Sequence, residues 1–278
     1  MAFKEVIVQA GSGAADAVRM SLAADLARSS GGSLTGVLVT PPPITAYLGG
    51  LEGASLSGLS LAELAEQQTA EFRKDAAKTQ AALAAAAKAS GLTPAFRTVS
   101  GDSRAEMIRL ARQADLVVLP SPDDSGSGNE SAPEEIAMTC GGPCLFVHAA
   151  WSTRPIGKRI LVAWNGSRES ARALKDALPM LHEAEHIDVL VIDKDDATHD
   201  VETTLPAYLA KHGLTAQVHR VSSVDNPVGD VMLRQAGRLD SDLIVMGLYG
   251  HARMQEMVLG GASRHILRHA RMPLLVSH

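Results

Sequence analysis

The chain has 278 residues, of which 46% are hydrophobic and 21% are charged, a composition typical of a soluble globular protein with one large or two small domains. Its formal net charge of -5 argues against a dedicated nucleic-acid binder, because such proteins carry a basic surface. No stretch reaches the roughly 18 apolar residues of a membrane helix. Lys4 and Glu5 also break the apolar run that a signal peptide needs. We therefore expect a cytoplasmic protein with no nucleic-acid or membrane partner.

Short apolar strands alternate with helical stretches along the whole chain. Such a pattern is typical of a parallel sheet covered by helices on both faces, and right-handed crossovers then give a doubly wound α/β layer. Strands are predicted at 6–10, 34–39, 95–99, 116–119, 144–147, 160–164, 187–192, 217–221, 243–246 and 274–277. Helices are predicted at 15–28, 61–90, 103–113, 133–139, 167–181, 199–212, 227–238 and 261–270. Helix 61–90 should lie outside, since it has a polar face of Gln67, Glu71, Lys74 and Lys78.

The chain also repeats itself. Segments 4–11, 115–120 and 143–148 resemble segments 158–165, 242–247 and 273–278, in the same order, which indicates a duplication. The predicted fold is therefore two tandem, doubly wound, parallel five-stranded sheets, with domains at 1–150 and 151–278. Strands 144–147 and 274–277 are candidate sheet edges, and their mutual pairing would pack the two halves as a pseudo-dimer within one chain.

The last strand–loop–helix unit carries the best candidate site. Glycines flank the loop between strand 243–246 and helix 261–270. Glycine lets backbone N–H groups turn towards a ligand, and a helix start adds unpaired N–H groups and a partial positive charge. Together these features predict an anion site, most plausibly for phosphate, and a glycine-rich surface loop that binds nothing stays open as the alternative.

The spacing of Gly247, Gly250 and Gly260 resembles the ATP-binding loop of the universal stress protein family. That family's fold is the adenine-nucleotide α-hydrolase type. The resemblance implies that ATP or another adenine nucleotide is held through those glycines and through Gly261, Ala262 and Ser263. Whether a Mg²⁺ ion accompanies the nucleotide stays open. Arg253 is a candidate outer phosphate contact. The family has Ser or Thr directly after the third glycine, whereas this chain has Gly261 and a hydroxyl only at Ser263.

The adenosine would lie at the ends of the first two strands of the second half. Asn165 follows the first of these strands and can hydrogen-bond a base edge or a ribose, although the family usually has Asp there. The family packs its adenine where Ile192 ends the next strand. A turn residue at Asn165 and a solvated strand end after Ile192 stay open as alternatives.

The first half lacks these features. Pro120 replaces the first glycine, and Asp123 and Asp124 would repel phosphate. We therefore interpret it as a degenerate copy that has kept the sheet and lost the site.

Three further motifs are given structural interpretations. The segment from Gly11 to Asp16 resembles a dinucleotide fingerprint but has Asp where Gly or Ala is needed. His182 and His186 match H-E-x-x-H, yet a strand begins next to His186, so both cannot share one helix. Cys140 and Cys144 are too few for a closed zinc site.

The leading hypothesis is a tandem universal stress protein that binds an adenine nucleotide in its second half, with a sensing role and little or no turnover. One alternative is an enzyme, a slow ATPase or nucleotidyl-transfer relative that uses the same loop. Another is a scaffold that binds no nucleotide. A homodimer of whole chains also stays open.

Overall fold

The structure is a computed structural model that describes residues 2–42, 55–56, 59–100, 102–122, 133–151, 155–193, 201–223, 226–249 and 261–278. Its strands are β1 Glu5–Gln9, β2 Ser33–Val39, β3 Ser55–Leu56, β4 Leu59–Ser60, β5 Ala95–Val99, β6 Leu116–Pro120, β7 Cys144–Val147, β8 Arg159–Trp164, β9 His186–Asp193, β10 Gln217–Ser222, β11 Leu243–Gly247 and β12 Leu274–Ser277. Its helices are α1 Ala14–Ser29, α2 Leu61–Lys88, α3 Ser103–Ala111, α4 Pro133–Thr139, α5 Arg168–Asp176, α6 Leu178–Leu181, α7 Val201–Lys211, α8 Val228–Arg238 and α9 Gly261–His269.

Ten strands form one continuous sheet in the order β10-β9-β8-β11-β12-β7-β6-β1-β2-β5. Within each half the five strands are parallel, and the order reverses between β8 and β11 and, equivalently, between β1 and β6. The predicted fold of two doubly wound five-stranded units is confirmed. The two units are not separate sheets, because one backbone ladder joins them.

The antiparallel pair β7–β12 makes that junction. Val276 lies opposite Cys144 and Leu274 lies opposite Phe146. All residues of both strands are buried, so the pairing covers two apolar edges that would otherwise favour aggregation. The predicted pseudo-dimer contact within one chain is therefore present in the structure.

An aspartate repeats the same contact in both halves. The Asp115 carboxylate, just before β6, accepts hydrogen bonds from the backbone N–H groups of Lys4 and Glu5 at 2.7 and 2.9 Å. The Asp242 carboxylate, just before β11, accepts three, including those of Gly157 at 2.8 Å and Lys158 at 2.9 Å. Each aspartate thus ties the start of the first strand of its half to the fourth strand, as a duplicated sequence requires.

Two apolar layers cover the faces of the sheet. Close packing of helix α2 depends on Gly36 in β2, because a Cβ there would lie 2.3 Å from Cδ2 of the fully buried Leu83. The opposite face of α2 is solvent-exposed, as predicted, at Gln67, Glu71, Lys74 and Lys78.

No helix in the described part of the chain is long and apolar enough to span a membrane.

Two local predictions were wrong. The helix expected at 167–181 is split at Ala177 into α5 and α6, because Pro179 has no N–H to continue the ladder and favours the first turn of a new helix. The short antiparallel hairpin β3–β4 was not predicted, since two-residue strands show no periodicity.

Candidate functional site

The candidate site lies where the strand order of the second half reverses, between β8 and β11. Ligands of doubly wound sheets bind in the crevice beyond the carboxyl ends of the strands at this point. Asn165 follows β8 and Gly247 ends β11, so two of the predicted site residues lie on the two sides of this crevice.

Gly247 is required for packing. A Cβ at this position would lie 2.5 Å from the backbone carbon of Glu169 and 2.5 Å from the backbone nitrogen of Ser170. Since real Cβ atoms do not approach backbone this closely, only glycine lets the end of β11 pass the first turn of helix α5. This contact places the N-terminus of α5 beside the strand end, a role that the sequence prediction did not include.

The turn from β8 into α5 is built from its own side chains. Asn165 is exposed, and its Oδ1 accepts a hydrogen bond from the backbone N–H of Ser167 at 3.1 Å. Gly166 adopts a left-handed φ of 72°, and the Ser167 Oγ caps α5 by accepting from the N–H of Ser170 at 3.1 Å. The side-chain oxygen of Asn165 therefore shapes the turn, and the side-chain NH₂ group of Asn165 is the part that a ligand would meet.

Helix α9 also starts beside the end of β11. The backbone N–H of Tyr249 donates to the Ser263 Oγ at 3.2 Å, which joins the strand end to the first turn of the helix. Tyr249 has a left-handed φ of 54°, unusual for a side-chain-bearing residue, and its hydroxyl donates to Glu134 of the first half. Ser263 is buried and its hydroxyl accepts this bond, and its predicted contact with phosphate stays a prediction.

The other predicted phosphate residues divide between the described and undescribed parts of the chain. Gly261 is the first residue of α9 and is exposed, and no heavy atom of the described residues lies within 4 Å of an added Cβ. Ala262 follows it and is half-buried. Gly250, Arg253 and Gly260 lie outside the described residues.

Ile192 lies in β9, opposite Val221 of β10, and is half-buried against the core. The structure thus provides an apolar side chain near the end of β9, on the other side of β8 from the loop.

Glu169 brings a negative charge to the first turn of α5. Burial opposes its ionisation, but the N–H of its own backbone and the Arg168 guanidinium outweigh this effect and lower the pKa of the carboxyl. Arg168 Nη2 lies 2.9 Å from Glu169 Oε1. The carboxylate is therefore ionised and neutralised locally by Arg168.

The histidine motifs are structural in the described geometry. His182 ends α6 and His186 begins β9, so the prediction that the second histidine leaves the helix is confirmed. His265 of α9 pairs with Asp230 of α8 through a 2.8 Å contact and stacks on His269. Across the described ranges, no group of three or more His, Cys, Asp or Glu residues could hold a metal ion.

The fold and this crevice define a duplicated doubly wound α/β protein with a candidate anion site in its second half. Residues 157–278 match the Universal stress protein family. This region therefore belongs to that family, and the family resemblance inferred from the sequence is confirmed. No curated protein sequence matches the chain.

Solved structures share the fold over nearly the full length. A universal stress protein from Archaeoglobus fulgidus is similar with a TM-score of 0.71 and 15% identity, covering 98% of this chain and 95% of its own. A functionally unknown protein from Pseudomonas aeruginosa is similar with a TM-score of 0.56 and 14% identity, covering 99% and 92%. At these identities the likeness shows the fold alone, and it includes the first half that the family match does not reach.

Sequence reasoning missed three participants in this region. Ser170 and Glu169 contact the end of β11 through backbone atoms, which leave no residue-type signal. Tyr249 gave a weak signal, since it stands next to Gly250 in a segment where the backbone must turn.

Proposed function

We propose that the chain binds one adenine nucleotide, with ATP as the principal ligand, in the crevice of its second half. The triphosphate lies at the end of β11 and the adenosine lies across β8 towards Ile192. Residues 151–278 form the binding domain, and residues 1–150 form a degenerate copy. The protein acts by binding or sensing the nucleotide, with little or no turnover.

The observation that carries this proposal is that two helix N-termini meet at one strand end. Gly247 contacts the first turn of α5, and Tyr249 is bonded to the first turn of α9. Each N-terminus carries a partial positive charge, which favours bound phosphate, although the Ser167 and Ser170 N–H groups of α5 already have side-chain acceptors. Residues 250–260, which carry the family's remaining glycines, connect these two points.

The first half differs at the matching helix start. A Cβ at Gly11 would lie 2.2 Å from the Asp16 Oδ2, so this carboxylate fills the space above the N-terminus of α1. The same oxygen accepts a hydrogen bond from the Gly13 N–H at 2.9 Å, and Asp16 pairs with the buried Arg19. The second half has Ser170 at the position of Asp16. The first half thus has a carboxylate at the position where the second half has a serine hydroxyl, and this difference supports a single site per chain.

Ligand extraction gives a direct test. The purified chain is denatured, and the released small molecules are identified by mass spectrometry beside a Gly260→Val variant, whose branched side chain would stand where backbone meets phosphate. We expect an adenine nucleotide on the wild type and a large loss in the variant. If the wild type releases phosphate from ATP no faster than Gly260→Val does, the result supports a binding role. Clearly faster release by the wild type would establish the slow ATPase instead. A wild type that neither carries nor takes up ATP would favour the scaffold hypothesis.

A further inference from the structure

A cavity of about 250 Å³ lies on the junction between the two halves, away from the nucleotide crevice. The loop between α4 and β7 forms one wall and helix α5 of the second half forms another. The residues that matter for its chemistry are Arg112, Cys140, Gly141, Gly142, Arg172 and Lys175. The Arg172 guanidinium donates to the Gly141 carbonyl, so α5 contacts the loop that separates the two cysteines of the chain.

The two cysteines are free thiols in contact with each other. Cys140 Sγ lies 3.6 Å from Cys144 Sγ, and a disulfide requires about 2.05 Å. The intervening turn can supply this small shift, because Gly141 has a left-handed φ of 80° and no heavy atom within 4 Å of its Cβ position. Cys144 is fully buried, and Cys140 is also buried, with 5% exposure, where it lines the cavity.

The two thiols are chemically different. The hydrogen bond between the two thiols, aided by the backbone at Gly142 and the charge of Arg112, outweighs burial and lowers the pKa of Cys140 to about 7. The same hydrogen bond and complete burial raise the pKa of Cys144. An attacking thiol is most effective when its pKa is near the ambient pH, so Cys140 has the properties of the nucleophile and Cys144 those of the resolving thiol.

The cavity presents more positive than negative charge. Arg112, Arg172 and Lys175 line it, together with Asp115 and Asp176. Asp176 pairs with Arg172, so these two charges offset each other, and Asp176 also accepts from the Ser277 hydroxyl at 2.9 Å. Arg112 and Lys175 then exceed Asp115, which accepts from two backbone N–H groups, by one positive charge. The cavity therefore suits a small molecule that carries carboxylates.

We propose that Cys140 and Cys144 form a redox-active dithiol that reacts with a small anionic disulfide bound in this cavity. The Cys140 thiolate attacks one sulfur of the bound disulfide, which forms a mixed disulfide and expels the first thiolate. Cys144 then loses its proton to that thiolate or to water, and its sulfur attacks Cys140 Sγ and expels the second thiolate. One Cys140–Cys144 disulfide forms and the oxidant leaves as two thiols. This site is independent of the proposed nucleotide binding.

Reduced full-length protein treated with oxidised glutathione tests the reaction by intact mass and peptide mapping. The wild type should lose two hydrogens through a Cys140–Cys144 bond. Cys144→Ala should retain a glutathione on Cys140, and Cys140→Ala should stay unmodified. A wild type that keeps both thiols reduced in excess oxidised glutathione, or a Cys140→Ala variant that is modified while Cys144→Ala is not, would overturn the assignment.

A second measurement does not depend on cysteine variants that could misfold. Iodoacetamide labelling of the wild type, mapped by peptide, should modify Cys140 first, with a rate midpoint near the pKa of about 7. Preferential labelling of Cys144, or an ordinary thiol midpoint at Cys140, would contradict the proposal.

The anionic ligand class has its own test. The rate of Cys140–Cys144 disulfide formation is measured with oxidised glutathione and with neutral 2-hydroxyethyl disulfide, and the ratio of the two rates is compared between variants. Lys175→Gln should lower this ratio several-fold, whereas Lys211→Gln, on an exposed position of α7 that does not line the cavity, should leave it unchanged. An equal ratio in Lys175→Gln and wild type would show that the cavity charge does not select the oxidant.

Discussion

The backbone N–H of Tyr249 donates a hydrogen bond to the hydroxyl of Ser263 across a loop whose ends it holds together. This bond links the segment that follows β11 to the first turn of α9. The proposed phosphate site therefore has a rigid base.

Replacement of Ser263 by alanine should destabilise the protein. It removes the acceptor and leaves a partly buried N–H unpaired, which costs about 1–3 kcal/mol of unfolding free energy. Urea denaturation should show the loss, and ATP affinity should fall with it. Ser263→Thr keeps the hydroxyl and serves as the control. Equal stability of Ser263→Ala and wild type would mean that the bond does not hold the loop ends.

Gly247→Ala should be costly for a different reason. The new methyl would meet backbone atoms of Glu169 and Ser170 at 2.5 Å, so β11 or α5 must shift. Overpacking of this kind typically costs about 1–3 kcal/mol. Gly261→Ala is the matched control, since its Cβ would point into open space. Thermal unfolding that is unaffected by Gly247→Ala would refute the close contact.

Gly261→Ser should tighten nucleotide binding. The position is open, lies at the first residue of α9, and is where the family carries a hydroxyl. One added hydrogen bond to the charged phosphate contributes about 1.5–3 kcal/mol, or about ten- to a hundredfold in Kd. Calorimetry with ATP measures the change, and Gly261→Ala separates the hydroxyl from the added methylene. Weaker binding in Gly261→Ser than in Gly261→Ala would place phosphate elsewhere.

His182 and His186 should not bind zinc. One ends α6 and the other begins β9, so they do not share a helix face. Metal analysis of protein dialysed against zinc should find no stoichiometric ion. Stoichiometric zinc that disappears in His186→Ala would contradict this expectation.

The sequence predicted the central strands of the sheet well because most of them are short apolar runs between polar boundaries. The pairing of β7 with β12 followed from the duplication, since two equivalent apolar edges within one chain can cover each other. The break at Ala177 was missed, because Leu178 and Leu181 continue the apolar pattern across Pro179.

The candidate site was less predictable. Glycine spacing identified Gly247 and Gly261, but not that Gly247 packs against backbone of α5, since such contacts depend on how a helix lies on a strand. The hydroxyl of Ser263 was predicted to meet phosphate, and its bond to Tyr249 depends on a loop conformation that no local pattern encodes. In the sequence Asp16 was only a mismatch to a fingerprint, whereas its position at the start of α1 gives a physical reason for the proposed lack of a site in the first half.

The most direct test of the central claim is isothermal titration calorimetry of ATP into the full-length chain, Gly260→Val, and the first-half control Gly126→Val. We expect one site per chain. Loss of one or two charge-assisted hydrogen bonds, each worth about 1.5–3 kcal/mol, should weaken Gly260→Val by about tenfold to a thousandfold or more, while Gly126→Val keeps the wild-type affinity. Two sites per chain would contradict the degenerate-copy interpretation. Full affinity in Gly260→Val would show that the loop after β11 does not bind the phosphates.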